Sequence, residues 1–287
     1  MFLHEWFVVP LNFGFMQNAL LASCVIGIVC AILSCFLVLK GWSLMGDAVS
    51  HAVLPGIAIA EVIGFSHPIG AFISGLMCAV FTGFIDENSR LKQDTVMGIV
   101  FSGMFALGIL MIASIETDKH LMHVIMGNLL GITRAELNQT LMISGLVVVV
   151  MMLKWKDFLL YAFDASHARV VGLPTKILHY SLLIMLALTI VAAIQAVGVI
   201  MVVSLLIAPG ITGFILTKRF STMLIIAIVV SVIAATMGVV VSFHIDASTA
   251  ACIVLAQSLL FALAFVIKKL ILAINQEKTS DYLNPQI

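Results

Sequence analysis

From Asn18 onward the sequence is a succession of apolar runs, each about as long as a lipid bilayer is thick, joined by short polar segments. A hydrocarbon core of roughly 30 Å is crossed by about 20 helical residues. Such runs lie at 19–39, 42–64, 68–85, 95–115, 136–153, 177–196, 198–217, 222–243 and 249–267. The first two and the sixth and seventh are crowded, so the expected count is eight to nine. Of the 287 residues, 62% are hydrophobic and 10% charged, whereas soluble domains carry about a quarter charged residues. The expected fold is all-α, a polytopic transmembrane helix bundle forming one domain over residues 1–287.

Basic residues orient the bundle. If the first span runs from outside to inside, the inner segments hold Lys40, Arg90, Lys92, Lys154, Lys156, Arg169, Lys176, Lys218, Arg219, Lys268, Lys269 and Lys278, and only Lys119 and Arg134 fall outside. This is a strong positive-inside bias and predicts a cytoplasmic C-terminus, with residues 270–287 as a cytoplasmic tail. Residues 1–17, including Trp6, are expected at the outer interface. "MFLHEWFVVPLNFGF" has no basic n-region and no small-residue cleavage site, so no signal peptide is expected.

Zero formal net charge and the lack of a basic tract argue against nucleic acid as a partner. The five cysteines (Cys24, Cys30, Cys35, Cys78, Cys252) lie in apolar runs without CxxC spacing and read as small buried hydrophobes. There is no G-x-x-x-x-G-K-[ST] phosphate loop, no G-x-S-x-G and no H-E-x-x-H, since Val8 stands where the second histidine would be. No inner segment is long enough for a nucleotide-binding fold. Uphill movement of a solute would draw on an ion gradient or on another subunit.

The most informative stretch is "GWSLMGDAVSHAVLPG" at 41–56. Asp47 and His51 are i and i+4, so they stack on one helical face. A charged side chain inside a bilayer costs several kcal/mol and usually faces a bundle interior or a wet cavity. One carboxylate and one imidazole on one face can hold a divalent cation, and that O/N set suits manganese, iron and zinc better than copper(I). Pro55 lacks the N–H that would bond the His51 carbonyl, leaving a carbonyl free for a cation, and Gly56 softens the helix further. The same break is expected at Pro209 and Gly210 in "LLIAPGITG", where the Leu205 carbonyl is freed. The competing reading is a neutral His51 hydrogen-bonded to Asp47 inside a packed bundle, serving as glue. Two ligands are too few for a transition metal; a twofold dimer with both faces on its axis would double them.

Other polar residues are secondary candidates. Glu61, fourteen residues after Asp47, is a second step on a metal route or a snorkelling carboxylate. His67 beside Pro68 reads as an outer turn residue. Gln195 and Asn128 read as interhelical hydrogen-bond partners, and His244 and Asp246 as an outer turn. The methionines read as packing, and the outer segment 116–135 gathers Glu116, Asp118, His120 and His123. On the inner side a short helix from Asp164 to Val171, capped by Asp164 and stopped by Gly172 and Pro174, offers a surface for a cytoplasmic partner.

"LKGWSLMGDAVSHAVLPGIAIA", "ENSRLKQDTVMGIVFSGMFALGI", "FDASHARVVGLP" and "VGVIMVVSLLIAPGITGFILTKR", in that order, resemble the recurring segments of the membrane permeases of ABC-type manganese, iron and zinc importers, the ABC-3 metal permease family. The "SHAVLPG" form looks more like the manganese/iron branch. The resemblance covers nearly the whole chain up to about Lys269. It implies a permease of the vitamin-B12-importer-like (type II ABC importer) fold that pairs with a second copy or a close paralogue. It further implies two cytoplasmic ABC ATPase subunits carrying the ATP and an extracytoplasmic metal-binding protein. Asp47 and His51 match the family's metal-associated positions. Asp164, Ala165, Ser166, His167, Ala168, Arg169, Val170, Val171 and Gly172 match the coupling helix that docks on the ATPase. "IDASTAACIVL" lacks the proline and glycine that often follow the family's aspartate, which weakens any role for Asp246.

The expected function is therefore the permease subunit of an ATP-driven importer in the bacterial cytoplasmic (inner) membrane. The cargo is Mn(II) and/or Fe(II), or Zn(II) if the chain is a zinc-specific permease; no cofactor is held permanently and no reaction is catalysed. The alternatives are a proton-coupled secondary metal transporter using Asp47, His51 and Glu61 as a relay, and a membrane receptor or scaffold whose polar pair is only structural.

Overall fold

The computed structural model describes residues 9–10, 12–42, 44–91, 93–114 and 129–283. Trp6, Lys92, Glu116, Asp118, Lys119, His120, His123 and Asn128 lie outside the described residues, and no side chain is described beyond residue 273. Among the described residues every regular element is helical: α1 (Gly14–Lys40), α2 (Met45–Ala52), α3 (Leu54–Ile63), α4 (His67–Asn88), α5 (Gln93–Ser114), a 3-10 turn at Leu129–Gly131, α6 (Arg134–Leu153), α7 (Trp155–Phe163), α8 (Ala165–Val170), α9 (Thr175–Val197), α10 (Val199–Leu216), α11 (Phe220–Ile245) and α12 (Thr249–Leu283).

Eight of these stretches, counting Met45–Ile63 as one, are long and apolar enough to cross a membrane. The ninth expected run is α10, whose apolar portion Met201–Leu216 is shorter. A single residue, Gly198, separates α9 from α10, at φ 80° and ψ 165°, a conformation essentially reserved for glycine. One helix missed in the sequence emerges, and one expected helix is longer than its apolar run. Residues 155–163, read as connecting chain, form α7, which buries Phe158, Tyr161 and Ala162. Helix α12 also runs on to Leu283, well past its apolar stretch.

The core lies around α1 and α9, the most buried spans, while α5, α12 and α6 are the most exposed. Met16, Met45, Met97, Met151, Met201 and Met223 are buried, in keeping with packing roles. Cys30, Cys35 and Cys78 are buried and Cys24 and Cys252 half-buried, all as free thiols.

Close backbone crossings set the geometry, as expected where small residues let membrane helices approach. At Gly56 a Cβ would stand 2.0 Å from the Gly70 carbonyl oxygen, and at Gly70 2.3 Å from that of Gly56. Gly56 thus serves as the point where α3 and α4 touch, rather than as a softener of its own helix. On the other flank, a Cβ at Gly108 of α5 would meet Leu54 and Pro55 at 2.8 and 2.9 Å. The Leu54–Pro55–Gly56 segment is clamped between α4 and α5.

The expected break at Pro209 and Gly210 does not occur: α10 runs through both. The Gly210 N–H donates to Ser34 Oγ at 3.0 Å, and that hydroxyl donates to the Ile207 carbonyl at 3.3 Å. Ser34 of α1 therefore bridges the Ile207 carbonyl and the Gly210 N–H on either side of Pro209, and Gly210 leaves the room for it. Substituting Gly56→Ala should lower the thermal stability of the detergent-purified chain, by about 1–3 kcal/mol. Gly98→Ala, where nothing lies within 4 Å, should leave it unchanged or raised; equal melting temperatures for the two variants would refute the crossing.

Candidate functional site

Helix α1 ends in a Schellman turn: the Gly41 N–H donates to the Val38 carbonyl at 3.2 Å and the Trp42 N–H to that of Leu37 at 2.7 Å, with Gly41 at φ 77°. The turn buries Trp42 and launches α2, which carries Asp47 and His51. Asp47 Oδ1 lies 3.4 Å from His51 Nε2, and the two side chains are 37% and 33% exposed. That separation is longer than a charge-assisted hydrogen bond of about 2.7–2.9 Å, and the pair is not sealed in dry packing. Two aromatic rings of α5 flank it: the His51 ring centroid lies 5.5 Å from Phe101 and 5.3 Å from Phe105, nearly perpendicular to the latter.

Helix α2 stops at Val53, the one residue outside a helix before α3. The carbonyls around this break are not bare. The His51 carbonyl accepts the Val53 N–H, because the chain tightens where Pro55 withholds its own donor. The next carbonyl, of Ala52, accepts the Ser74 hydroxyl at 2.6 Å. The expected free carbonyl ligand is therefore already occupied, and Ser74 of α4 holds the break in shape.

Glu61 lies at the far end of α3, and its Oε2 faces Nε2 of His67, the first residue of α4. Both side chains are about half-exposed. This second carboxylate–imidazole pair was missed because its members sit six residues apart on different helices. The signal that could have found it is the bracket of Gly64 and Pro68, which marks a tight reversal. Gly64, at φ 74°, closes α3 in a second Schellman turn, and Ser66 precedes α4. Of the remaining candidates, Gln195 is half-buried, the His244 ring pairs with the Val240 carbonyl at 3.0 Å, and Asp246 is the left-handed C-cap of α11 at φ 53°. Among the described residues no group of three or more His, Cys, Asp or Glu is placed to hold a metal ion.

At the opposite, basic end, α8 forms as expected. Asp164 Oδ1 accepts the N–H groups of Ser166 and His167, each at 2.9 Å, and Gly172, at φ 89°, ends the turn. Ala168 points inward and is fully buried, whereas Val170 and Val171 are exposed, as are Ser166, His167 and Arg169. Behind α8, the Tyr161 hydroxyl of α7 hydrogen-bonds His179 Nδ1 of α9 at 2.8 Å. The Lys40 ammonium lies 4.2 Å above the Tyr161 ring, and the His179 ring meets Trp42 edge-on at 5.1 Å. A continuous set of contacts thus joins the exposed α8 to the start of α2.

These elements fit a transport protein, and comparison with known proteins decides which. Residues 12–268 match the ABC 3 transport family. The chain belongs to that family. It is 59% identical to the chelated iron transport system membrane protein YfeD of Yersinia pestis, over 90% of this chain and 86% of that protein. It is 44% identical to the manganese transport system membrane protein MntB of Synechocystis, over 91% and 86% of the respective chains. Among solved structures, PsaBC of Streptococcus pneumoniae in complex with Fab superposes with a TM-score of 0.81 at 33% identity, covering 92% of this chain and 95% of that one. The resemblance read from the four sequence segments holds, and this member of the ABC 3 family is a multi-pass membrane permease.

The His167 and Ser166 backbone bonds, joined by the charges of His167 and Lys40, outweigh desolvation and hold the Asp164 carboxyl below its ordinary range. A depressed folded-state pKa stabilises the cap above the unfolded pKa, and this contribution is lost as pH falls through the folded value. Hydrogen exchange at the Ser166 and His167 amides, corrected for intrinsic rates, should therefore quicken on acidification below the usual carboxylate range. Asp164→Asn should flatten that pH dependence; an unchanged profile would refute the cap.

Proposed function

We propose that this chain is the membrane-spanning permease subunit of an ATP-driven importer whose cargo is a divalent first-row metal ion, Mn(II) and Fe(II) ahead of Zn(II). The observation that carries the cargo assignment is the 3.4 Å separation of Asp47 Oδ1 and His51 Nε2. Oxygen and nitrogen ligands sit about 2.0–2.2 Å from such ions. Two of them on one ion, at octahedral to tetrahedral angles, are therefore about 2.8–3.6 Å apart. The pair needs almost no rearrangement to chelate. Its partial exposure leaves it open to a passing ion, and Phe101 and Phe105 limit competing water. The transport of manganese and chelated iron by the named relatives supports the same class of cargo.

One chain supplies two ligands where a transition metal takes four to six. The reading is completed by a second copy, or a close paralogue, bringing its own carboxylate and imidazole to a shared axis. The positive-inside bias makes the α8 end cytoplasmic, so the C-terminus is cytoplasmic too. Two cytoplasmic ATPase subunits bear on residues 164–172, and an extracytoplasmic binding protein delivers the ion near Glu61 and His67. The ATPase's movement reaches α2 through Tyr161, His179, Lys40 and Trp42. The chain itself catalyses no reaction.

Proteoliposomes holding the assembled permease, ATPase and metal-binding protein test this reading. Asp47→Ala and His51→Ala should each cut ATP-dependent Mn(II) and Fe(II) uptake on the order of tenfold or more, with assembly and basal ATP hydrolysis intact. Unchanged uptake in both variants would remove the proposed site. Vesicles containing this chain alone should not accumulate metal across a proton gradient. Accumulation there would replace the ATP-driven reading with a proton-coupled one.

A further inference from the structure

A cavity of about 560 Å³ opens at the basic end of the bundle, between the end of α1 and helices α7, α10, α11 and α12. Its size falls within the range of about 300–1,000 Å³ typical of ligand sites. Leu159, Phe163, Phe214 and Met223 line it with hydrocarbon, and Lys218, Arg219 and Lys268 complete the lining with three cations. Two other cavities among the described residues, one beside Pro55 and Met104 and one beside Ile32 and Trp155, have no charged lining residue.

Among the described residues none of the three cations forms an ion pair. The nearby acid of α7, Asp157, is engaged with Lys154 at 3.4 Å. Three like charges around one apolar cavity repel one another and gain from a multivalent or diffuse anion. They also sit at the depth where the last apolar turn of each span gives way to polar chain, on the face that gathers nearly all of the described basic residues.

We propose that this cavity binds an anionic phospholipid of the cytoplasmic leaflet. One acyl chain would lie against Leu159, Phe163, Phe214 and Met223, with the phosphodiester between Lys218, Arg219 and Lys268. Charge and shape both select that occupant. A zwitterionic lipid brings no net charge to offset the three cations, and a free phosphate leaves the apolar lining uncovered. Basic pockets between spans on the cytoplasmic side are suited to anionic headgroups, each basic residue near the surface contributing about fivefold in affinity. A lipid held there would tie α7, the helix that carries α8, to the ends of α10, α11 and α12.

The test is native mass spectrometry of the full-length chain in mild detergent, with phosphatidylglycerol and phosphatidylethanolamine of identical acyl chains supplied at equal concentration. The wild type should retain phosphatidylglycerol over phosphatidylethanolamine by about tenfold or more. Combined Lys218→Gln, Arg219→Gln and Lys268→Gln substitution should bring the ratio near one. Leu159→Trp, which fills the cavity and leaves the charges in place, should reduce retention of phosphatidylglycerol itself. If the charge variant loses helicity or monodispersity, Leu159→Trp decides, and retention equal to wild type overturns the proposal. A preference that survives charge removal overturns it as well. Displacement of the lipid by glycerol phosphate at equal concentration would make this a simple anion site. Loss of ATPase co-purification from the charge variant, with lipid preference intact, would assign the surface to the protein partner instead.

Discussion

A lipid interior offers no hydrogen bonds, so every backbone group that a helix leaves unpaired must be met by a neighbouring helix. Pro55 and Pro209 lie within membrane helices beyond their first turns or at a break, and beside each a serine of a neighbouring helix binds the backbone. Ser34 bridges the Ile207 carbonyl and the Gly210 N–H across Pro209, and Ser74 takes up the Ala52 carbonyl beside the break at Val53. Both repairs demand close backbone approach, which Gly210 on α10 and the Gly56–Gly70 contact between α3 and α4 permit. The placement of α2, and with it Asp47 and His51, follows from these contacts.

The two ends of the bundle carry different chemistry. One end presents Glu61 beside His67, a carboxylate and an imidazole like the pair deeper in α2. The other presents basic residues, the capped helix α8 and the aromatic set of Trp42, Tyr161 and His179. Such an arrangement places the carboxylate–imidazole pairs and the exposed, capped helix at different levels of the bundle. It also links them physically, because Trp42 stands only a few residues before Asp47 and touches the ring of His179, which is bonded to Tyr161 on the helix preceding α8.

Much of this was legible in the sequence, for physical reasons. Span positions depend on hydropathy, which is local, so the nine apolar runs map onto observed helices to within about five residues, except that 42–64 divides at Val53 and α12 continues to Leu283. The cap at Asp164 and the stop at Gly172 depend on side chains only two or three residues from their partners, so they were legible as well. The amphipathic α7 was missed because nine residues with a buried face of three look like ordinary connecting chain. The Pro209 break was misread because a missing N–H on one helix says nothing about a hydroxyl waiting on another, 175 residues away in sequence from Pro209 to Ser34.

By itself the sequence determined that the chain crosses a membrane many times, that its basic residues gather on one side, and that Asp47 and His51 share a helical face. Each of these depends on composition or on spacings of a few residues. Only the tertiary structure decided that the pair remains partly exposed at 3.4 Å, that Glu61 meets His67, and that the carbonyls near Pro55 are already taken. It also brought Lys218, Arg219 and Lys268 around one apolar cavity. Those outcomes depend on which helices cross and how closely, and that is set by steric fit between surfaces far apart in the chain.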